Sequence, residues 1–511
     1  MEETALYHSS IFLLFLMLAF KLLMFRARRR HRKLPPSPPA MPIIGHLHLI
    51  KPPAHRFFYN LSKKYGPIFS LRLGSRLMIV VSSAKDAEEC FTKNDIVFAN
   101  RPKSLSGKHI SYNYTTILTA PYGDHWRNLR RITAIELLSS KRVNMSVAIR
   151  REEIKRLLKK LSTYNSRQEF KKVELKTMFS ELTFNITMRM IAGKRYYGDN
   201  VEDEEEARMF RDTVKEVLAV NETSNPGDFL PFLNWIGDFE KRILRLSKTM
   251  DTILQGLVDQ HRNKKAGLES MDTMIDHMLS LQESQPQYYT DQNIKALMLT
   301  LIIAGIDTSA ITLEWAMANL VNHPEVLKNA RAELNAQVGQ ECLIDESDLS
   351  KLPYLRNIVS ETLRLNPAAP LLIPHRSSDD CTVGGYDVPR DTTLLVNAWA
   401  IHRDPELWDE PTCFKPERFE SSDSEAHKLM PFGLGRRACP GASLAQRLVG
   451  LTLGSLLQCF EWKRIGEDKI DMTEGRGITM PKAVALEVMR KACPNIHKIL
   501  FDSDKKICSS F

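Results

Sequence analysis

The sequence predicts a mainly α-helical, α+β protein with a membrane-anchoring helix at its N-terminus. Several long stretches are amphipathic, as helices that bury one face are. Two shorter stretches resemble strands, and Gly-Gly and Pro-Arg mark turns within the second of them. The helical stretches are residues 150–165, 203–220, 237–262 and 291–321, and the strand-like stretches are 67–83 and 381–397.

The composition is that of an ordinary globular protein with a large core. Of 511 residues, 43% are hydrophobic and 26% are charged. Length alone would suggest about three domains. The net charge of +10 is diffuse and no nucleic-acid-binding motif is found, so we expect no nucleic-acid partner.

Residues 1–33 are predicted to form the membrane anchor. Residues 11–25 are apolar except for Lys21, and a cluster of cationic residues follows them. A cleaved signal peptide would carry its positive charge before the apolar run, where this chain has acidic residues. A buried core helix is disfavoured by the adjoining cations. We therefore expect an uncleaved single-pass helix with the rest of the chain in the cytosol.

A proline-rich segment, residues 34–42, separates the anchor from the body of the protein. Proline fixes φ and blocks helix formation. The segment is either a plain linker or a stiff hinge that sets the angle between anchor and body. Both interpretations place a boundary near residue 34.

The eight cysteines form neither a CxxC motif nor a zinc-type spacing with histidine. A cytosolic body predicts that they are free thiols. The five N-x-[ST] sequons would then never meet the glycosylation machinery, and we interpret them as chance matches.

One cysteine, Cys439, lies in a loop of unusual composition. The loop PFGLGRRACPG, residues 431–441, surrounds it with glycines, prolines and arginines. Residues 442–460 are predicted to form a helix that begins just after the loop. The positive end of a helix lowers the pKa of a nearby thiol. The alternative is a buried structural thiol in a glycine-rich turn.

This loop resembles the haem-binding loop of cytochromes P-450, and the resemblance runs from about residue 34 to 500. It implies one helix-rich catalytic domain, residues 34–505, with haem b as cofactor and the Cys439 thiolate as axial ligand of the iron. A thiolate in that position favours O–O cleavage. The positions that match F-x-x-G-x-R-x-C-x-G are Phe432, Gly435, Arg437, Cys439 and Gly441.

The resemblance also assigns roles within the loop. Arg437 is expected to pair with a haem propionate. Gly435 and Gly441 are expected to let the backbone come close and direct N–H groups at the sulfur, since such hydrogen bonds tune the metal.

A second motif, AGIDTSA at residues 304–310, interrupts the apolar stretch 291–321. A polar break in such a helix is costly unless its groups are satisfied or used. The alternative to a functional role is a simple helix kink. The resemblance makes Thr308 and Asp307 the residues that deliver protons during oxygen activation, and Ala304 and Gly305 the residues that leave room above the haem.

Two further motifs match the family. Glu361 and Arg364 are spaced i, i+3 and can pair on one helix face, and Arg418 matches the third member of the family's Glu–Arg–Arg cluster. We assign these three to folding of the haem pocket.

Three more residues are expected to contact the propionates. Trp126 and Arg130 match the W-x-x-x-R helix of the family, and His375 falls where the family places another propionate partner. The alternatives are an exposed basic helix face and a surface histidine.

The main motifs are complete, and segments such as CFTKNDIVFANRP resemble the plant microsomal group that includes isoflavone hydroxylases. We therefore expect an endoplasmic reticulum enzyme that hydroxylates a flavonoid-like phenolic substrate with O2. Electrons would come from NADPH through NADPH–cytochrome P-450 reductase, with cytochrome b5 as an optional second donor. Oxidative ring closure, as in methylenedioxy-bridge formation, or phenol coupling, as in xanthone synthesis, stays open, and a haem sensor or carrier is the remote alternative.

Apolar pieces of the chain are expected to line the substrate pocket, because a flat aromatic substrate suits a mostly apolar cavity. Each of them could equally be core. The residues chosen are Ile303, Ala304, Ala369, Leu371, Leu372 and Ile478.

Overall fold

The computed structural model describes residues 32–163, 169–199, 201–222, 225–235, 237–264, 273–420 and 428–502. The anchor predicted for residues 1–33 lies outside these ranges, apart from its last two residues. Within them, the segment Asp291–Asn322 is long and apolar enough to cross a membrane. Of its most apolar window, 61% is buried inside the protein, as a core helix would be.

Helices make up most of the described chain, and each predicted helical stretch overlaps an observed helix, except that residues 291–321 form two helices. The helix predicted at residues 442–460 is also present. The α-helices are α1 (Ala54–Tyr65), α2 (Ala84–Phe91), α3 (Leu105–His109), α4 (Asp124–Ile132), α5 (Ser140–Met145), α6 (Val147–Thr163), α7 (Lys176–Ala192), α8 (Glu204–Glu222), α9 (Phe239–Lys264), α10 (Met274–Ser284), α11 (Asp291–Gly305), α12 (Asp307–Asn322), α13 (Pro324–Gln337), α14 (Pro353–Leu365), α15 (Ala398–Ile401) and α16 (Ala442–Cys459).

Strands form in both predicted strand-like stretches and at the C-terminal end. Residues 67–83 fold into an antiparallel pair, and residues 381–397 give a hairpin followed by one further strand. The strands are β1 (Ile68–Leu73), β2 (Arg76–Val81), β3 (Lys171–Glu174), β4 (His375–Arg376), β5 (Cys381–Val383), β6 (Tyr386–Val388), β7 (Thr393–Val396), β8 (Phe460–Lys463) and β9 (Glu487–Ala492).

The strands are arranged in sheets that join distant parts of the chain. The four-stranded sheet has the order β1-β2-β7-β4, with β2 and β7 parallel and Met78 opposite Thr393. A second sheet has the order β3-β9-β8, and β5 pairs with β6 alone. The first sheet therefore holds the N-terminal strands against the segment that contains His375.

The apolar stretch predicted as one helix over 291–321 is divided at Ile306 into α11 and α12. The Thr308 hydroxyl donates to the carbonyl of Ala304 at 2.7 Å, a bond to residue i−4 that bends helices. A Cβ added to Gly305 would lie 3.3 Å from Oγ1 of Thr187, so α7 packs closely against the break.

The core lies around α12, which packs against α7, α14 and α16. Most of the inner face of α16 is fully buried, including Leu453 and Leu456. Replacing either leucine with alanine would cost about 2–5 kcal/mol through lost burial and a residual cavity. Because α12 and α16 belong to one buried cluster, the break in the central helix and the loop before α16 are held by the same core.

Candidate active site

The Cys439 loop ends where α16 begins, as predicted: Gly441 is the N-cap and Ala442 is the first helical residue. The Cys439 backbone N–H donates to the Phe432 carbonyl at 2.8 Å, which closes the loop on itself. Phe432 packs against the core cluster around α16. The cysteine is therefore fixed between a closed loop and a helix N-terminus.

The thiol of Cys439 is accessible from outside the chain, yet it lies deep enough for its surroundings to affect its ionisation. The pKa of the Cys439 thiol is raised, because desolvation outweighs the hydrogen bond from the backbone N–H of Gly441 and the charge of Arg130, which both lower it. A Cβ on Gly441 would lie 3.9 Å from the Cys439 sulfur. The expected N–H group near the sulfur is thus supplied by Gly441.

Gly435 has a different reason to be glycine. Its φ is +68°, and a Cβ there would lie 2.5 Å from Oδ1 of Asp95 and 2.8 Å from the Phe91 carbonyl. The close approach is thus to the segment after α2, and not to the sulfur. Asp95 also accepts from the backbone N–H of Arg436 at 3.0 Å and pairs with the Arg436 side chain at 3.1 Å.

Arg437 turns its guanidinium away from solvent and toward the segment 99–120. It donates to the carbonyls of Ala99, Ile117 and Ala120 at 2.7, 3.0 and 2.5 Å. Burial, together with the charge of Arg130, lowers the pKa of Arg437 to about 9. A cation destabilised in this way favours an anionic neighbour.

Trp126 and Arg130 lie beside this arginine on α4, as the predicted helix requires. The Arg437 guanidinium is 4.3 Å from the centroid of the Trp126 ring. The Trp126 indole N–H donates to the Ile117 carbonyl at 3.0 Å, and Arg130 donates to the Ala438 carbonyl at 2.7 Å. The structure thus brings both residues to the cysteine loop, and their contact with a propionate stays a prediction.

His375 is buried, and its Nδ1 is 2.7 Å from the carbonyl of Phe98, which can only accept. Nδ1 therefore carries the proton. Burial and then the charge of Arg101 lower the pKa of His375 well below its usual value. His375 thus lies in the same cationic cluster as Arg437.

Arg101 is a member of this cluster that sequence reasoning did not single out, although it lies in the quoted segment FANRP. Its Nη1 donates to the carbonyls of Ile373 and Pro374, both at 2.8 Å, and its Nε is buried without a hydrogen-bond partner. Burial and the charge of Arg437 lower the pKa of Arg101 to about 9.

The functional groups of these residues are chemically suited to hold a haem. A thiol is available as a metal ligand. In the described part of the chain, the hydrogen bonds of Arg101, Arg130 and Arg437 all go to backbone carbonyls. An anion from outside the chain, such as the two propionates of a haem, would therefore balance their positive charges.

The predicted Glu–Arg–Arg cluster is formed. Arg364 makes two hydrogen bonds to the Glu361 carboxylate, at 2.7 and 2.8 Å, and both side chains are fully buried. Arg418 donates to Glu361 at 3.1 Å. Arg364 also donates to the carbonyl of His402 at 2.6 Å, which links the cluster to α15.

His402, in the segment AIHRDP at residues 400–405, is a second residue that sequence reasoning did not single out. Its Nδ1 is 3.2 Å from the Arg364 carbonyl, and its Nε2 accepts from the backbone N–H of Met430 at 3.0 Å. Burial, with Arg364 and Arg403, lowers the pKa of His402 to about 3, so the ring is neutral.

The region around the predicted pocket residue Ile478 lies next to the region around Ala369. The backbone N–H of Met480 donates to the Ala368 carbonyl at 2.9 Å, and the Met480 carbonyl accepts from the Trp315 indole at 2.7 Å. The hairpin that carries Ile478, which is 43% exposed, is therefore tied both to residue 368 and to α12.

The individual pocket residues differ in their surroundings. Ala304 is exposed, although most of α11 is buried. Ile303 and Ala369 are half-buried. Leu371 packs against the cluster around β1, and Leu372 is buried in the cluster around β2 and β7. Their contact with a substrate stays a prediction.

The chain is similar to known proteins in both sequence and structure. The cytochrome P450 family model matches residues 35–486. Cytochrome P450 81Q32 of Catharanthus roseus is 58% identical over 98% of this chain and 100% of its own length. Among solved structures, a zebra fish cytochrome P450 with progesterone superimposes with a TM-score of 0.73 at 27% identity, covering 87% of this chain and all of that one.

Two relatives carry names that describe a reaction. Isoflavone 3'-hydroxylase of Medicago truncatula is 54% identical over 96% of this chain and 99% of its own length. (+)-Piperitol/(+)-sesamin synthase of Sesamum radiatum is also 54% identical, over 92% of each chain.

Proposed function

The chain belongs to the cytochrome P450 family, and we propose that this haem-dependent monooxygenase hydroxylates a small phenolic substrate. Family membership brings with it the haem cofactor and electrons from NADPH through NADPH–cytochrome P450 reductase. The observation that carries the proposal is the Cys439 loop, which places an accessible thiol before α16 beside a buried cationic cluster.

Cys439 is the proposed ligand of the haem iron. When bound, the haem supplies the activation of O2 that the protein itself cannot perform. The chain contributes the Gly441 N–H and the positive end of α16, which both favour the thiolate. Arg101, Arg130, Arg437 and His375 hold the propionates, and the Glu361 cluster supports the chain that leads into the loop.

Thr308 and Asp307 are proposed to manage protons. The Thr308 hydroxyl donates to the Ala304 carbonyl at the helix break. Its oxygen can still accept a hydrogen bond from a proton donor. Asp307 is the first residue of α12 and half-buried. A carboxylate next to the hydroxyl can relay protons from outside the chain toward the reacting oxygen.

The phenolic substrate class rests on the relatives and on the apolar character of the proposed pocket residues. Two isoflavone hydroxylases of Medicago truncatula, acting at the 3' and 2' positions, are 54% and 52% identical. The Ile478 hairpin and the residues after Ala368 are tied together in the structure. An aromatic ring packed between such apolar walls would be oriented by shape, with few polar contacts.

Oxidative ring closure is the second candidate, because a sesamin synthase is as similar as the isoflavone 3'-hydroxylase. Product analysis separates the two. Microsomes that co-express the chain and a plant reductase should convert a flavonoid or isoflavonoid to a product one oxygen atom heavier. A product two hydrogens lighter from a methoxyphenol lignan would favour ring closure, and turnover of neither class would contradict the phenolic assignment.

We further propose attachment to the endoplasmic reticulum membrane through the N-terminal anchor. Deleting residues 1–33 should release at least part of the protein from membranes without loss of haem. Glycosylation of the five sequons in the full chain would place the catalytic domain in the lumen and contradict this orientation.

A further inference from the structure

A buried carboxylate, that of Glu474, lies at the base of the hairpin that carries Ile478. Glu474 is paired with Lys482 in an isolated antiparallel bridge, and the Gly475 N–H donates to the Pro481 carbonyl at 2.7 Å. The Glu474 side chain is only 2% exposed. Burying a charge is costly unless it is paired and hydrogen-bonded, and the candidate active site makes no use of this one. Its partners therefore indicate what it does.

Three side chains in the described part of the chain hydrogen-bond to the Glu474 carboxylate. The Trp399 indole N–H donates to Oε1 at 2.9 Å, and the Arg56 Nε donates to Oε2 at 2.6 Å. Nε2 of His55 is 2.6 Å from Oε2. Desolvation opposes ionisation, but the hydrogen bonds from His55 and Arg56 lower the pKa of Glu474 to about 2. The carboxylate is therefore ionised and can only accept, so Nε2 of His55 carries a proton.

The donors belong to elements that are far from the hairpin in sequence. His55 and Arg56 are in the first turn of α1, and Trp399 is in α15. The Asn397 amide donates to the His55 carbonyl at 2.9 Å, which joins these two elements. The rings of His55 and Trp399 have centroids 5.2 Å apart, and Trp399 belongs to the same buried cluster as Met480. The first arm of the hairpin thus rests on a polar cluster formed by α1 and α15.

The second arm of the hairpin is held by different groups. Lys482 is buried, and its Nζ lies 4.8 Å from the centroid of the Trp315 ring of α12. The same Nζ donates to the Asp471 carbonyl. The Trp315 indole holds the Met480 carbonyl, as described above. Loss of the hydrogen bonds to Glu474 would therefore release the first arm alone, and the direction in which Ile478 points would change.

We propose that Glu474 and His55 are positioning residues that fix the hairpin so that Ile478 forms one wall of the substrate pocket. Neither side chain touches the substrate. They act through Ile478, whose position decides which carbon of an aromatic ring is presented for oxidation. Directional hydrogen bonds to a buried carboxylate favour one arrangement of the hairpin, whereas apolar contacts alone would tolerate several. The inference rests on the proposed function, because it takes Ile478 as a pocket residue.

The test compares the binding of two azoles to the full-length haem-loaded protein. Imidazole and 4-phenylimidazole both bind iron through a ring nitrogen and shift the Soret band, but only the second places a benzene ring in the pocket. The ratio of their dissociation constants therefore reports on the pocket walls. His55→Leu removes the donor to Glu474 and should weaken 4-phenylimidazole relative to imidazole roughly tenfold, since one apolar pocket contact contributes about 10–200-fold. His55→Gln can still donate and should stay close to the wild type.

Two further variants make the test specific. His261→Leu is the matched control, because His261 is also a buried histidine, with Nδ1 at 2.7 Å from Oδ1 of Asp276, and it belongs to α9 instead of the hairpin cluster. This variant should lower the thermal midpoint without changing the azole ratio. Arg56→Ala decides the question if His55→Leu does not retain haem. The Arg56 side chain is 53% exposed, and its loss removes two hydrogen bonds from Glu474, so the ratio should change about threefold.

Three results would overturn the proposal. The first is an azole ratio that neither His55→Leu nor Arg56→Ala changes. The second is an equal change in His261→Leu, which would mean that any loss of stability alters the pocket. The third is an equal change in His55→Leu and His55→Gln, which would assign the effect to the shape of the ring. With an isoflavone as substrate, His55→Leu should also change the ratio of 2'- to 3'-hydroxylated product. A wild type that converts no isoflavone would contradict the proposed function, while the azole ratio would still test this inference.

Discussion

The Nε2 atom of His402 accepts a hydrogen bond from the backbone N–H of Met430 at 3.0 Å, both in the buried interior. The same ring lies against the Arg364 carbonyl through Nδ1. One neutral histidine thus connects the Glu361–Arg364 pair with the residue that precedes the cysteine loop. We therefore expect the Glu361 cluster to help position Cys439 through this connection.

We predict that His402→Phe lowers stability and haem content together. The ring shape is roughly kept, but the Met430 N–H is left buried without an acceptor, which costs about 1–3 kcal/mol. His402→Gln can offer an amide oxygen in place of Nε2 and should retain more haem. The measurements are the thermal midpoint and the haem-to-protein ratio. Equal haem loss in both variants would mean that packing, and not the hydrogen bond, positions the loop.

From the lowered pKa of His402 we also predict that the free energy of unfolding depends on pH. Its pKa is about 3 in the folded protein and about 6.5 when unfolded. The unfolded chain thus takes up a proton that the folded chain does not, and the contribution of His402 to stability is lost as pH falls from 6.5 toward 3. Between pH 6.5 and 5.5 the loss should be about 1 kcal/mol. Urea midpoints of the wild type should fall more steeply over this interval than those of His402→Gln.

We predict that Cys439→Ser abolishes both activity and the red-shifted Soret band of the reduced, carbon monoxide-bound protein. Serine cannot provide the thiolate that produces this band. Cys413→Ser, which changes another exposed thiol, is the control and should leave the band intact. A normal Soret band in Cys439→Ser would contradict the assignment of Cys439 as the ligand of the haem iron.

For Thr308→Ala we expect uncoupled turnover. Substrate binding and the carbon monoxide band should be kept, while NADPH consumption continues with less product and more hydrogen peroxide. The drop in product per NADPH should be on the order of tenfold, since water can partly replace the hydroxyl. Thr312→Ala removes the same type of i−4 hydrogen bond one turn later and should stay coupled. If Thr308→Ala forms as much product per NADPH as the wild type, the role of Thr308 is limited to forming the helix break.

Turnover supported by the reductase should fall as ionic strength rises, while turnover driven by a peroxide should change little. Docking between a basic face and an acidic partner is screened by salt. Arg436 lies in the Cys439 loop, but its side chain is paired with Asp95. Arg131 is exposed on α4 beside Arg130, so Arg131→Ala should weaken reductase-supported turnover more than Arg436→Ala. The same salt response in both assays would exclude electrostatic docking.

Local features of the molecule could be predicted because they depend on neighbours in the chain. The helices over 150–165 and 442–460 follow from apolar periodicity, and the Glu361–Arg364 pair follows from i, i+3 spacing. The position of Cys439 before a helix N-terminus was likewise visible in the sequence. The requirement for glycine at position 435 was not visible in the sequence, because the atoms that exclude a Cβ there belong to Phe91 and Asp95, which are far away in the chain.

The sequence by itself determined the helix-rich class, the cysteine loop and the polar break at residues 304–310, since each is encoded in residues close together. Only the tertiary structure decided which distant groups meet. The antiparallel bridge between Asn100 and Arg376 places His375 beside Arg101, and the position of His402 at the end of α15 places its ring between Arg364 and Met430. Such meetings depend on how whole elements pack, and side-chain periodicity carries no information about contact partners hundreds of residues away.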